Sequence, residues 1–348
     1  MSNPDYHFVH NSFKLNGFHL NEDDLCRTAY IYIKEGEPHE KAVGEFLLDW
    51  FDHRDFIEMQ TSGTTGTPKM IRVDKQAMVN SALATGSFFE LDEGIKVLHC
   101  LPTQFVAGKM MLVRAFILGW DMDMIAPVAN PLERLDTVYD FSAMVPLQAQ
   151  NSLMKLKKVK KLILGGAKVS QALTKQLRGL PAKIYETYGM TETITHIAAK
   201  PVGDEAFTVL PNVNISQDER KCLVIDPYVI CDEPVVTNDV VEIVNDKQFI
   251  WLGRYDNVIN SGGVKLFPEQ IEEKLSEYIG RRYFVQGSQD DTLGEKLILV
   301  VEGEPFDLPS DAFKHLGKFE KPKEVVFVPQ FIETVSGKVI RDKTLENA

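Results

Sequence analysis

A chain of 348 residues with 44 % apolar and 25 % charged side chains has the make-up of an ordinary globular protein, with enough material for two or three domains and substantial cores. Its formal charge is −12, from 38 basic and 50 acidic residues. That argues against nucleic acid or an anionic membrane as a bulk partner, and leaves room for one local positive pocket that holds a nucleotide. The cysteines, Cys26, Cys100, Cys222 and Cys231, are scattered with no Cys-x-x-Cys pair, Met1 to Asp5 has neither basic region nor apolar run, and no apolar stretch is long enough to span a membrane. Reduced thiols, a cytoplasmic location and no membrane partner are expected.

The first 55 residues carry no recognisable motif. Phe56 to Met59 and Met70 to Val73 read as strands around a tight loop, Thr61-Ser62-Gly63-Thr64-Thr65-Gly66-Thr67-Pro68-Lys69. Glycines let a backbone curl its N–H groups around an anion, hydroxyls add donors and Lys69 adds charge, so polyphosphate is the natural ligand. The spacing is not that of a Walker A loop, and the plain alternative is a Ser/Thr/Gly surface turn. Asp74 caps a predicted helix to about Phe89. Lys96 to Leu101 reads as a strand, Ala107 to Leu118 as an apolar helix, Met122 to Ala126 and Phe141 to Val145 as strands, and Leu147 to about Leu156 as a helix. Lys155, Lys157, Lys158, Lys160 and Lys161 read as a solvated helix end. A strand at Lys161 to Leu164 runs into Gly165-Gly166-Ala167; Ser170 caps a helix stopped by Gly179; Ile184 to Thr187 is a further strand. This alternation predicts an α/β sheet with crossover helices and ligands beyond the strand ends.

Tyr185-Glu186-Thr187-Tyr188-Gly189-Met190-Thr191-Glu192 follows. Gly189 permits a sharp turn, and Thr191 and Glu192 offer oxygen ligands; a carboxylate beside a phosphate loop holds magnesium, whereas the alternative is a strand end and a capped helix. Val240 to Val244 and Phe249 to Leu252 form a predicted hairpin. A junction near Asp256, with no low-complexity linker, leads to a compact unit: a helix from Pro268 to about Ile279, strands at Tyr283–Gln286 and Lys296–Val301, a helix near Ser310–Leu316 and a strand at Glu324–Val328. Ser336-Gly337-Lys338 lies near the end, where a lysine is most simply an exposed tail residue.

Thr-Ser-Gly-x-Thr-Gly-x-Pro-Lys at 61–69, Tyr-Gly-x-Thr-Glu at 188–192, Gly-Arg-x-Asp at 253–256 and Ser-Gly-Lys at 336–338, in this order, resemble the acyl-adenylate-forming superfamily of acyl-CoA synthetases, aryl-CoA ligases, luciferases and adenylation domains. Thr237-Asn238-Asp239 resembles the superfamily's Thr-Gly-Asp, with Asn in place of Gly. The resemblance implies an α/β fold with a large N-terminal ATP- and acid-binding domain, residues 1–254, and a small mobile α+β C-terminal domain, residues 255–348. It implies a ligase using ATP, Mg²⁺ and CoA. By the same resemblance, Thr61, Ser62, Gly63, Thr64, Thr65, Gly66 and Lys69 hold phosphates, and Gly165, Gly166 and Ala167 flank adenine and acyl group. Tyr188 packs on adenine beside Gly189, Thr191 touches the α-phosphate, and Glu192 binds Mg²⁺. Asp239 and Arg254 hold the ribose, and Asp256 is the hinge. Lys338 bridges carboxylate and ATP, and Gly262, Gly263 and Lys265 lie on the loop that turns inward for thioester formation. Physically, a carboxylate attacking the α-phosphorus needs cations between two anions, and a second step with a thiol favours a moving domain.

Leu101-Pro102-Thr103-Gln104-Phe105-Val106-Ala107-Gly108 with Arg114 and Gly119, and Met144-Val145-Pro146-Leu147-Gln148, resemble segments of o-succinylbenzoate–CoA ligases of menaquinone biosynthesis. That group has His where Phe105 stands, and His196 is a candidate substitute; a satisfied core histidine is the alternative. Arg114 in so apolar a helix either snorkels to the surface or meets the substrate's benzoate carboxylate. Other expectations remain open: a different acyl- or aryl-CoA ligase, a carrier-loading adenylation enzyme, or a non-catalytic nucleotide-binding relative.

Overall fold

The structure, a computed structural model, describes residues 4–60, 70–231, 233–309, 311–333 and 339–346. Its frame is a 13-stranded sheet. The strands Lys183–Gly189, Val159–Leu164, Tyr139–Met144, Lys96–His99, Asp121–Met124 and Lys14–Leu15 lie side by side and parallel. Phe18–His19 closes one edge. On the other side the sheet turns antiparallel through His196–Pro201, Ala206–Val209, Gln248–Arg254, Val235–Asn245, Cys222–Asp226 and Asn214–Gln217.

The helices that cover this sheet are α1 (Glu22–Glu35), α2 (Pro38–Trp50), α3 (Lys75–Phe89), α4 (Val106–Leu118), α5 (Pro146–Asn151) and α6 (Gln171–Arg178). Three of them start at a side-chain cap. Asn21 accepts from the Asp24 amide at 3.0 Å, Asp74 from the Ala77 amide at 2.6 Å, and Ser170 from the Leu173 amide at 3.2 Å, so side chains satisfy N–H groups that the first turns leave unpaired. α4 is apolar nearly all round and is buried between the sheet and α3, with Met110, Met111, Val113, Ala115 and Phe116 closed from solvent. The 55 residues without a motif supply α1, α2 and an added parallel strand, and Trp50, Phe46 and Leu25 seal that end of the core.

A five-stranded sheet made from Ile259–Ser261, Val264–Leu266, Tyr283–Asp290, Gly294–Glu302 and Glu324–Val328 forms a second layer with α7 (Pro268–Leu275) and its own core of Ile271, Leu275, Val285, Leu299 and Val301. The short helix α8 (Arg341–Glu346) follows.

Two expectations change. Residues 147–156 are not one helix: α5 ends at Asn151 and a 3₁₀ helix covers Leu153–Lys158. Three of the lysines there are engaged: Lys155 Nζ donates to the Glu133 carbonyl at 2.6 Å, Lys158 to the Asp136 carboxylate at 2.7 Å, and Lys161 to the Phe89 carbonyl, so they serve as tertiary ties rather than as a solvated helix end. Residues 311–316 form turns rather than a helix: only Ala312 and Leu316 are buried, and the backbone bonds among the described residues there are of the i→i+3 kind. Among the described residues no helix is long and apolar enough to cross a membrane.

His99, at the carboxyl end of a parallel strand, is 1 % exposed; its Nε2 meets Thr103 Oγ1 at 3.1 Å and its Nδ1 has no partner. Burial pushes its pKa from 6.5 down to about 4. A histidine with a depressed pKa contributes its stability above the unfolded value and loses it as pH falls towards the folded one. Stability is therefore expected to drop between pH 6.5 and 4 with a slope of about 1.4 kcal/mol per pH unit from this residue. Urea midpoints at pH 7 and pH 5 measure this; His99→Gln flattening nothing would remove the assignment.

Candidate functional site

The carboxyl ends of two neighbouring parallel strands carry part of the motif residues. Val159–Leu164 delivers Gly165, Gly166 and Ala167; the Gly165 amide donates to the Met144 carbonyl at 3.2 Å. Lys183–Gly189 delivers Tyr188 and Gly189, and a 3₁₀ turn at Thr191–Thr193 follows. A Cβ on Gly189 would stand 2.3 Å from the Thr195 carbonyl oxygen and 2.4 Å from His196 Cα. Glycine here lets the chain double back directly against itself. That return runs through Ile194, at φ 66° and ψ −56°, with the Thr195 amide donating to the Thr193 carbonyl at 2.7 Å. This is a γ-turn of the strained hand, held by a buried β-branched residue.

Tyr188 and Asp239 form one unit. The tyrosine hydroxyl donates to Asp239 Oδ2 at 2.7 Å and Trp251 Nε1 donates to Asp239 Oδ1 at 3.0 Å. Arg254 Nε stands 3.8 Å from the same Oδ1, directly across the hairpin, where Asp239 and Arg254 are register partners. Burial and the neighbouring Asp239 charge drive the Tyr188 pKa upward, so the hydroxyl stays a donor. Thr237 Oγ1 accepts from the Asp239 amide at 3.1 Å and donates to the Leu223 carbonyl at 2.8 Å, which fixes the strand that carries Asp239. Asn238, the residue that departs from the family pattern, donates to Asp256 Oδ2 at 2.7 Å and accepts from Arg220 at 2.8 Å.

Glu192 is exposed; its carbonyl accepts from Cys231 Sγ at 3.2 Å, and its carboxylate makes no ion pair among the described residues. No group of three or more His, Cys, Asp or Glu side chains able to hold a metal occurs among those residues. One open carboxylate fits Mg²⁺, which binds through one or two carboxylates and the substrate's own phosphates rather than in a protein cage.

Behind this segment lies Arg114. Snorkelling does not occur: the side chain is 2 % exposed on α4. Its Nη2 meets Thr195 Oγ1 at 3.4 Å and His196 Nδ1 at 3.5 Å, its Nε has no partner, and no acidic side chain pairs with it among the described residues. Burial alone lowers its pKa to about 9, which leaves it charged at neutral pH. His196 is buried too, edge-on to Phe89 with ring centroids 6.0 Å apart, and Phe89 packs against Tyr185 at 5.1 Å. Burial first, and the Arg114 charge second, depress the His196 pKa well below 6.5, so the ring is neutral. Half-buried Thr195 follows Thr191 and Glu192 in the chain and meets Arg114.

Other expected residues are elsewhere. Gly262 and Gly263, at φ 59° and 81°, form the two-residue turn between Ile259–Ser261 and Val264–Leu266, a geometry that glycine adopts without cost. Lys265 lines a cavity of about 550 Å³ with Arg220, Glu242, Tyr255 and Phe267, whose lining includes neither Tyr188, Glu192, Asp239 nor Arg114. Phe105 caps α4 and is exposed. Gln148 is committed to the Cys100 and Val128 carbonyls at 3.0 Å each. Thr61, Ser62, Gly63, Thr64, Thr65, Gly66, Lys69 and Lys338 lie outside the described residues; the strands flanking the first seven, Phe56–Gln60 and Met70–Asp74, pair antiparallel. Trp251, Thr195 and Thr85 escaped the sequence reading. The hairpin register could have suggested Trp251; nothing in the sequence links Thr85 to His196, 111 positions away.

A mixed sheet that presents Tyr188 at a parallel strand end and joins it to Asp239, which faces Arg254 across the antiparallel hairpin, beside the glycine turn of the neighbouring parallel strand, has the build of a nucleotide-using enzyme. The chain belongs to the family of AMP-binding enzymes, which it matches over residues 52–227. Among solved structures it is similar to an acyl-CoA synthetase (AMP-forming)/AMP-acid ligase II-like protein from Dyadobacter fermentans, at 35 % identity and a TM-score of 0.63, over 92 % of this chain and 97 % of that one. The Bacillus subtilis o-succinylbenzoate CoA synthetase MenE in complex with the acyl-adenylate OSB-AMP shares the fold at 19 % identity and a TM-score of 0.71, over 84 % and 69 %. The 2-succinylbenzoate–CoA ligase of Listeria monocytogenes serotype 4b is 25 % identical over 93 % of this chain and 76 % of its own length.

Proposed function

We propose that the chain is an acid–CoA ligase that converts o-succinylbenzoate to o-succinylbenzoyl-CoA in the cytoplasm, for menaquinone biosynthesis. The carboxylate oxygen attacks the α-phosphorus of ATP, the bond to the β-phosphate breaks and pyrophosphate leaves; the thiol sulfur of CoA then attacks the acyl carbon and AMP leaves. Asp239, Tyr188 and Arg254 hold the nucleoside, with Gly165, Gly166 and Ala167 along its edge. Thr191 donates at the α-phosphate. Glu192 would hold Mg²⁺, which supplies charge neutralisation on the phosphates. Lys69 and Lys338 carry the remaining positive charge by resemblance. Residues 255–348 move as a C-terminal domain against residues 1–254, with Asp256 as hinge, and bring Gly262, Gly263 and Lys265 inward for the thiol step.

The observation that carries the choice of acid is Arg114: a buried guanidinium with no carboxylate partner among the described residues, whose Nη2 meets Thr195 and His196. A buried charge is sustained only where a partner arrives, and a ring carboxylate on the substrate is such a partner. The 35 % identical relative described as an acyl-CoA synthetase supports a second reading, a general acyl- or aryl-CoA ligase. Pyrophosphate release with a panel of acids separates them. o-Succinylbenzoate is expected to exceed 4-phenyl-4-oxobutanoate, which lacks the ring carboxylate. A preference for the monoacid removes the o-succinylbenzoate assignment, release without any stimulation by CoA of AMP formation favours carrier loading, and no release with any acid leaves a nucleotide-binding relative.

A further inference from the structure

The side chains behind Arg114 form a chain with a fixed direction. Thr85, on α3 and fully buried, donates its only hydroxyl proton to the Ser81 carbonyl at 2.9 Å. Toward His196 Nε2, at 3.4 Å, Thr85 Oγ1 can therefore only accept, so Nε2 carries the imidazole proton. His196 Nδ1 is left with its lone pair, and that lone pair faces Arg114 Nη2 at 3.5 Å. The donors run in one direction: Arg114 donates to His196, His196 to Thr85, and Thr85 to the Ser81 carbonyl.

A buried arginine is usually held by a carboxylate, which fixes its geometry and cancels its charge. Here the holder is a neutral acceptor. It fixes one edge of the guanidinium and, among the described residues, leaves the positive charge uncancelled, with Thr195 as a second contact. We propose that His196 is a positioning residue for Arg114, set in its Nε2–H tautomer by Thr85, and that this neutral relay creates the pocket's preference for acids carrying a second carboxylate. The proposal rests on the reading of Arg114 as the site of that carboxylate. It assigns His196 no contact with the reacting atoms, and it gives Thr85, which is closed off behind the histidine, an effect on substrate choice.

The test compares kcat/KM for o-succinylbenzoate and 4-phenyl-4-oxobutanoate in wild type, Arg114→Ala, Thr85→Val, His196→Gln and His196→Glu. Thr85→Val keeps shape and removes the acceptor, so the imidazole is free to place its proton on Nδ1 and confront Arg114 with a donor. The diacid-to-monoacid ratio is expected to fall about tenfold, the worth of one hydrogen bond, chiefly through KM for the diacid. His196→Gln, whose amide oxygen can accept from Arg114, should keep most of the wild-type ratio. His196→Glu, which supplies the cancelling charge, should reduce it at least as far as Arg114→Ala does. A ¹⁵N spectrum of labelled histidine gives a reading independent of turnover: a protonated Nε2 and an unprotonated Nδ1 for His196 in wild type, and a shifted tautomer balance in Thr85→Val. A wild-type imidazole protonated on Nδ1, or Thr85→Val and His196→Glu with the wild-type ratio, would overturn the relay. If Arg114→Ala still abolishes the preference in that case, the function stands and only the relay fails; if wild type shows no preference at all, both fall together.

Discussion

Arg114→Ala is expected to lose a factor of roughly 10² to 10⁴ in kcat/KM for o-succinylbenzoate while changing little with 4-phenyl-4-oxobutanoate. A buried charge deprived of its partner costs about 3–5 kcal/mol, and each 1.4 kcal/mol is tenfold. In the variant the stranded charge is the substrate's own ring carboxylate. The monoacid has none, so it serves as a control for fold and ATP binding within the same protein. A second measurement has the opposite sign. Without substrate, wild type buries a guanidinium whose Nε has no partner and whose pKa is pushed down to about 9 by desolvation. Arg114→Met fills the space with an apolar side chain and should raise the stability of the unliganded protein by about 1–4 kcal/mol, the gain seen when buried charges are replaced by packed hydrophobic groups. Equal loss with both acids, or a less stable unliganded Arg114→Met, would mark the arginine as structural.

Asp239→Ala is expected to lower kcat/KM for ATP by about 10² to 10³, equally with either acid. The carboxylate accepts from Tyr188 and Trp251 and faces Arg254. Each hydrogen bond to a charged group is worth about 1.5–3 kcal/mol, and truncation leaves two half-buried donors without their acceptor at the place assigned to the ribose. Asp239→Asn keeps one acceptor and should fall between. Pyrophosphate exchange titrated with ATP at saturating acid reads the effect. Unchanged ATP parameters would take the ribose away from this hairpin. A loss confined to o-succinylbenzoate would mean that the hairpin belongs to the acid pocket instead.

Much of this was readable in the sequence because it is local. Strand end and glycine lie side by side at Leu164 to Ala167, strand end, glycine and hydroxyl at Tyr188 to Glu192, and the neighbouring parallel strands place the two segments together. Helix starts at Asp74 and Ser170 were equally legible, since a cap is a contact over three residues. What escaped is non-local. Arg114 meets Thr195 and His196 across 81 and 82 positions, and no periodicity encodes that. Composition had left Arg114 open between surface and pocket, and only packing of α3 on α4 decides for burial. The turns at 311–316 carried helix-compatible residues, yet too few of them bury to support a helix. Asn238 is a further instance: read as a departure from Thr-Gly-Asp, it proves to join Asp256 to Arg220 through a side chain that glycine lacks.

The reversal at Ile194 turns the backbone into a gauge. Four extended residues would reach about 13–14 Å, and a γ-turn in their midst removes both the length and the slack. Thr191 at one end is assigned to the phosphate, and Thr195 at the other touches Arg114. The separation between the activated carboxylate and the ring carboxylate is therefore measured against covalent geometry rather than against side chains that could repack. Ile194→Gly would relieve the positive φ at no conformational cost to the turn and let the two ends drift. Tolerance for acids one methylene longer or shorter would then widen before affinity for ATP declined, so the strain stored at a residue that touches no reactant sets how narrowly the enzyme chooses.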